Sequence, residues 1–326
     1  MTQGAYPLVT IAIPTYNRAD SFLRCALKSA VNQTYGNVEV IVSDNCSTDG
    51  TEEVVRGFSA PCVRYFKHAE NIGANGNFNF CVEQARGDYF LLLPDDDLID
   101  EDFAEVCMKA ANYRTDIGII RTGTRTIDSN DTVLKEKLNP AMGLSTADFF
   151  LSWFRGETAL YLCSTLLNTQ RLREIGGFHS KHQLFQDGIA EVQLAARFGR
   201  VDVRDVKASF RRHAATRTFA NKVSAWCEDS LMLLEIMCDL VPQDKAALIE
   251  REGTRYFARV NYNFASSIKS PIERYATYVM IHEKFGRQYS PFRFFVYEKN
   301  ARRIRRWARR GRRVLARARM GSVERV

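Results

Sequence analysis

Three consecutive carboxylates, Asp95-Asp96-Asp97, make the clearest chemical demand in this 326-residue chain. Like charges side by side repel one another. These follow directly on the apolar run Tyr89–Leu93, so a cation is the simplest means of keeping them ionised. Hard oxygen donors suit Mg2+ or Mn2+, which keep waters and bind through one or two carboxylates plus substrate phosphates. An isolated acidic triplet could equally be a solvated turn before the helix expected from about Asp100. Three further polar clusters weigh against that, because each follows another strand-like run: Pro14-Thr15-Tyr16-Asn17-Arg18, Asp44 to Gly50, and Glu70-Asn71-Ile72-Gly73. Asp44 stands directly at a strand end, where a carboxylate can accept hydrogen bonds from a base or ribose. Asp49, with Ser47 and Thr48, suits helix capping. Asn71, followed by Gly73, Asn75 and Asn77, gives a glycine-permissive turn with amides near a helix start. Such a turn can contact phosphate or nucleoside, or simply cap the helix.

These clusters need elements to carry them. Strands are predicted at Leu8–Ile13, Val38–Ser43, Val63–Lys67 and Tyr89–Leu93, with helices at Asp20–Asn32, Thr51–Phe58 and Ala74–Ala85 between them. That alternation predicts an α/β fold with a Rossmann-like, mostly parallel sheet flanked by helices. In such sheets ligands bind outside the carboxyl ends of the strands, where all four clusters fall. Further on, Ile117–Ile127 and Thr132–Lys137 flank a hairpin turn at Ser129-Asn130-Asp131. A helix near Thr146–Trp153 leads to an apolar strand at Tyr161–Leu167. Gly176-Gly177-Phe178 then breaks the chain before a helix at about Asp187–Phe198. Arg211, Arg212, His213 and Arg217 follow a short strand-like segment. Beyond Arg217 only helical patterns remain, so residues 1–217 are expected as one domain and 218–326 as a helical region.

No stretch approaches the roughly 20 apolar residues that span a bilayer, and the first residues lack the charged and apolar regions of a secretory signal. Eight cysteines without a Cys-x-x-Cys pair read as free thiols in a reducing cytosol. The net charge of +8 belongs to the tail: residues 302–326 hold eleven Arg and one Glu, which leaves the preceding chain near −2. Over about 300–320, apolar or small residues recur at helical spacing from Ile304 through Trp307, Val314 and Leu315, with arginines on the opposite face. That pattern predicts a basic amphipathic helix in peripheral contact with an anionic membrane, rather than with nucleic acid.

Residues 7–217 resemble the family 2 glycosyltransferases of the GT-A fold. The resemblance is carried by VTIAIPTYNRADSFLRCALKSAVNQTY, VEVIVSDNCSTDGTEE, HAENIGANGNFNFCVEQARGDYFLLLPDDD and IGGFHSKHQLFQDGIAEVQLAARFG. It implies a divalent metal (Mg2+ or Mn2+), a nucleoside diphosphate sugar donor and inversion at the anomeric carbon. The acceptor would be a glycan or lipid-linked hydroxyl in cell-surface polysaccharide biosynthesis, at the cytoplasmic face of the membrane. By carry-over, Pro14, Thr15, Tyr16, Asp44, Asn71 and Asn77 belong to donor binding. Asp95 lies toward the ribose, and Asp97 or Asp96 ligates the metal. Pro94 stands where the family often has another aspartate, which leaves the register within the triplet open. The family presents a Glu-Asp pair at a helix start whose Asp is the base. Here Gln186 replaces the Glu and Asp187 remains, with Glu191 one turn on as the substitute. His213 is a further metal ligand or phosphate donor, and Arg217 a partner for the leaving diphosphate. Two other readings stay open. One is a nucleotidyltransferase, although PTYNR lacks the glycines that chemistry wants. The other is a non-catalytic nucleotide- or glycan-binding relative, suggested by Gln186. His179-x-x-His182 invites zinc but lacks nearby third and fourth ligands.

Overall fold

Three runs of apolar, largely β-branched or aromatic residues, Val9–Thr15 (β1), Val38–Asp44 (β2) and Tyr89–Leu92 (β4), are buried along nearly their whole length. Strands covered on both faces need such runs. In the computed structural model, which describes residues 6–58, 60–212, 222–292 and 294, they pair in parallel, with Val63–Lys67 (β3) on the outer edge of β2. The helices Leu23–Val31 (α1), Thr51–Arg56 (α2) and Gly73–Gln84 (α3) connect them.

The remaining strands are Leu98–Ile99 (β5), Ile119–Ile127 (β6), Val133–Lys137 (β7), Thr165–Asn168 (β8) and Arg200–Arg211 (β9). The sheet runs β3-β2-β1-β4-β8-β6-β9-β5, with β7 joined to β6. This corrects the expectation of a mostly parallel sheet: of eight pairings, β4–β8, β5–β9, β6–β7 and β6–β8 are antiparallel. The reason lies in the strands beyond Asp97. They mix charged with apolar residues (IIRTGTRTI, VDVRDVKASF) and include a hairpin, which is antiparallel by construction. Its turn is closed by Asp128, whose side chain accepts the Asn130 and Thr132 amides at 2.8 and 3.0 Å.

Phe103–Ala110 (α4) and α1 cover one face of the sheet, enclosing Ile11, Val40, Leu91, Phe103 and Met108. Thr146–Phe154 (α5) is capped by Ser145, which accepts the Asp148 amide at 3.1 Å. Thr169–Glu174 (α6) and Gln186–Phe198 (α7) follow, then Val223–Asp239 (α8), Gln243–Ala265 (α9) and Pro271–Lys284 (α10). The chain forms two compact units. One comprises residues up to 220 with 228–253, so the sheet-bearing unit takes in parts of α8 and α9. The other comprises 221–227 with the residues from 254 on. Within the second, Tyr262 stacks on Phe294 at 4.5 Å and meets Tyr278 edge-on at 5.1 Å. The expected amphipathic helix near 300–320 lies outside the described residues.

Candidate active site

The carboxyl ends of β1, β2 and β4 meet at one edge of the sheet, and loop-to-loop hydrogen bonds hold them in register. After β1, Asn17 adopts a left-handed conformation (φ 53°), which an asparagine tolerates. Its amide donates to Ser47 Oγ at 2.8 Å and its side-chain oxygen accepts the Thr48 amide at 2.9 Å. Asp49 accepts the Ala19 amide at 3.0 Å, so it ties these loops together. The ends surround a cavity of about 250 Å3. Pro14, Thr15, Tyr16, Asn77 and Asp95 line it, five of the residues assigned to the donor from sequence. Arg18, Asn45 and Phe78 line it too and were not assigned. Arg18 and Asn45 each lie within a cluster already singled out, whereas Phe78 has the spacing of an ordinary helix residue.

Asp44 stands behind the cavity wall. It is 0% exposed, and its oxygens accept the Ser47 amide at 2.8 Å and the Tyr65 hydroxyl at 2.6 Å. Asn71 reaches the site through Asn45, which donates to it at 2.9 Å while accepting the Ile72 amide at 2.9 Å. Asn77 is anchored on Ser43, accepting from its hydroxyl at 2.5 Å and donating to its carbonyl at 2.9 Å.

The aspartates diverge. Asp95 faces the cavity and accepts from Thr15 Oγ1 at 2.9 Å and Arg18 Nε at 3.3 Å. Burial raises its pKa, and Asp96 adds to the rise against the pull of Arg18. Asp97 turns inward, 2% exposed, and accepts the Arg211 amide at 2.8 Å. Burial first and Asp96 second hold its carboxyl well above the usual range, while the Cys163 thiol donates to it. The Asp96 carbonyl accepts from Arg211 Nε at 2.7 Å. Arg211, at the end of β9, is itself buried. It lies over the Phe22 ring at 4.2 Å, pairs with Asp131 at 2.5 Å and leaves Nη2 without a partner. Among the described residues no three His, Cys, Asp or Glu side chains converge to hold a metal on their own. His213 and Arg217 lie outside the described residues.

Asp187 occupies the first turn of α7, accepting the Gly188 amide at 2.8 Å, and burial raises its pKa. The Gln186 side-chain oxygen beside it is buried and unpartnered. Glu191 lies one turn on, 1% exposed, with Thr165 Oγ1 at 3.4 Å. Burial drives its pKa up to about 8, opposed by Arg121 and assisted by Asp187. Burial first, then Asp97 and Glu191, hold the Cys163 thiol well above its ordinary range. His182 pairs with Glu228 at 2.9 Å, not with a second histidine.

Residues 10–171 match the sequence profile of Glycosyl transferase family 2. An uncharacterized glycosyltransferase of Rickettsia bellii is 34% identical over 190 residues, covering 56% of this chain and 26% of the relative. The GalNAc(5)-diNAcBac-PP-undecaprenol beta-1,3-glucosyltransferase of Campylobacter jejuni is 31% identical over 176 residues, covering 52% and 55%. The chain thus spans less than two thirds of either relative. In three dimensions the fold is similar to S. aureus TarS, with TM-score 0.62 and 16% identity over 85% of this chain and 48% of that one. It is also similar to mannosyltransferase PcManGT from Pyrobaculum calidifontis in complex with GDP-Man and Mn2+, with TM-score 0.52 and 17% identity over 90% and 86%. Through residues 10–171, this chain belongs to glycosyltransferase family 2.

Proposed function

We propose that the protein transfers a sugar from a nucleoside diphosphate sugar to a hydroxyl of a glycan or lipid-linked acceptor, with inversion, in cell-surface polysaccharide biosynthesis. The observation that carries this reading is the cavity at the ends of β1, β2 and β4, lined by Asn45, Asn77 and Asp95 among others. Amides there suit a nucleobase and ribose, and the acidic turn lies where a diphosphate would follow. Relatives support it: TarS has been crystallised with UDP-GlcNAc, and the C. jejuni relative is named for a polyprenyl-linked acceptor.

A divalent cation, Mg2+ or Mn2+, fits the residues present. The donors are hard oxygens, and burial with mutual repulsion holds Asp95 and Asp97 above their ordinary range, a condition that added positive charge relieves. Asp96 and Asp97 would hold the ion, with His213 and the donor's own phosphates. Once bound, it offsets charge on the departing diphosphate. In the displacement, Asp187 takes the proton of the acceptor hydroxyl. The hydroxyl oxygen forms the new bond to the anomeric carbon, and the bond to the diphosphate breaks on the opposite face. A base works best with a pKa lifted toward neutrality, the direction in which burial moves Asp187. Glu191, enclosed between α7 and β8, has the less open position for that role.

We assign residues 1–217 to this catalysis and the arginine-rich tail to peripheral contact with an anionic membrane at the cytoplasmic face. Among the described residues no helix is long and apolar enough to cross a membrane. The decisive experiment replaces Asp187 with Asn in the full chain. Transfer should fall at least about 100-fold, while UDP or GDP binding with Mn2+, measured by calorimetry, stays within twofold. Transfer at the wild-type rate would remove Asp187 from the mechanism.

A further inference from the structure

The segment that delivers Asp187 is held locally by little more than Ser180, whose carbonyl accepts the Gln183 amide at 3.4 Å. It leaves α6 through Gly176 and Gly177, both at positive φ, turns at 180–183 with Gln183 in the left-handed region (φ 60°), and enters α7 at Phe185. Phe185 contributes no side-chain cap. A glutamine at positive φ is maintained only where surrounding contacts over-determine it.

Those contacts come from elements far away in sequence. Asp229, on α8, is 0% exposed and accepts three hydrogen bonds from this one segment: Ser180 Oγ at 2.6 Å, the His182 amide at 2.9 Å and the Leu184 amide at 3.0 Å. Ser180 Oγ in turn accepts the Leu184 amide at 3.1 Å. A buried carboxylate holding two backbone amides and a hydroxyl makes charge-assisted bonds, the stronger kind, and shapes the turn directly. The neighbouring Glu228 bonds Lys181 at 2.7 Å and His182 at 2.9 Å from a more exposed position, where ion pairs contribute little. On the other flank Asn79, on α3, accepts the Phe178 amide at 2.8 Å and donates to the Phe178 carbonyl at 2.9 Å. That helix also supplies Asn77 and Phe78 to the donor cavity. The segment is therefore gripped by the donor-site helix at one end and by Asp229 at the other.

We propose that Asp229 is a positioning residue: by fixing residues 180–184 it sets where α7 presents Asp187 to the acceptor hydroxyl. The inference rests on Asp187 being the base. A base must come within about 2.6–3.2 Å of the proton it takes, and a misplacement of about 1 Å can cost about 100-fold in rate. Asn in place of Asp229 keeps the shape. It offers a single oxygen acceptor, and its NH2 group faces at least one of the present donors.

The test uses the full chain as wild type, Asp229→Asn, Ser180→Ala and Asp187→Asn. Nucleotide release with Mn2+ is followed for whichever member of a panel of UDP-, GDP- and dTDP-sugars the wild type hydrolyses fastest, water standing in for the acceptor. Asp229→Asn should lower kcat about 10- to 100-fold with donor KM within twofold. The His182 and Leu184 amides should exchange hydrogen faster, while those of β1 and β4 do not change. Ser180→Ala should lie between Asp229→Asn and wild type, and it carries the same kcat-against-KM comparison if Asp229→Asn does not fold. A kcat within twofold of wild type in Asp229→Asn, or KM rising as steeply as kcat falls, overturns the proposal. If Asp187→Asn keeps its kcat, the base reading fails and this inference with it. If Asp187→Asn is inactive and Asp229→Asn is not impaired, the positioning role alone fails.

Discussion

Glu191 shows how burial decides what a single carboxylate can do. It shares α7 with Asp187, but its side chain lies inside, against Thr165 and within the field of Arg121. Burial favours the neutral acid and lifts its pKa from the ordinary 4.5 to about 8. The folded protein therefore holds this proton more tightly than the unfolded chain does. Its contribution to stability is complete below about pH 4.5 and is lost as pH rises through about 8. Glu191→Gln keeps the neutral shape and removes that loss. The melting temperature of the variant relative to wild type should thus climb between pH 5 and 8. A difference that stays flat with pH would show that Glu191 does not titrate in this window. Asp187 sits closer to the helix start and keeps partial access, so the same physical effect there fits the proton-transfer role proposed for it.

At the scale of elements, the junction of β6 with α7 and β9 carries the sheet's second half. Gly118 precedes β6 where an added methyl would collide with the Leu194 carbonyl of α7 and lie 3.0 Å from the Gly199 carbonyl. Backbone cannot yield as a flexible side chain can. Gly118→Ala should therefore cost roughly 2–4 kcal/mol in chemical denaturation, and wild-type stability in that variant would refute the close packing. β6, β7 and β8 overlap the strands expected at 117–127, 132–137 and 161–167, whereas the twelve-residue β9 showed only as a short strand-like segment. β6 and β9 pair in parallel with register shifts at Arg121, Gly123 and Thr124, which breaks the two-residue alternation that marks a strand. β5 is two residues long and has no period to detect. By contrast β1, β2 and β4 announce themselves as apolar runs, and their polar successors were legible as a site because each lies within a few residues of its strand end.

Across the whole chain, charge is segregated. The eleven arginines of residues 302–326 give that segment a net +10, against a nearly neutral remainder. Deleting 302–326 should abolish co-sedimentation with vesicles containing phosphatidylserine, and in the full chain raising the salt should weaken that binding. UDP or GDP binding with Mn2+ should persist after the deletion. Retained sedimentation would move the membrane contact elsewhere, for example to the exposed Ile272 and Phe292.

The sequence by itself determined the α/β beginning, the acidic turn, five of the residues that line the cavity at the strand ends and the tail's charge. All of these follow from local periodicity and from neighbours in the chain. Only the tertiary structure decided that half the pairings are antiparallel, that Asp44 serves as a buried strut, that Asp97 turns toward the Arg211 amide, and that Glu191 is enclosed. It alone brought Asp229 to the loop before Asp187, Asn79 to Phe178 and Arg211 to the acidic turn, across separations of 45, 99 and 114 residues. A carboxylate's role depends on which donors meet it and how much water reaches it. Packing sets both, and no spacing along the chain records them.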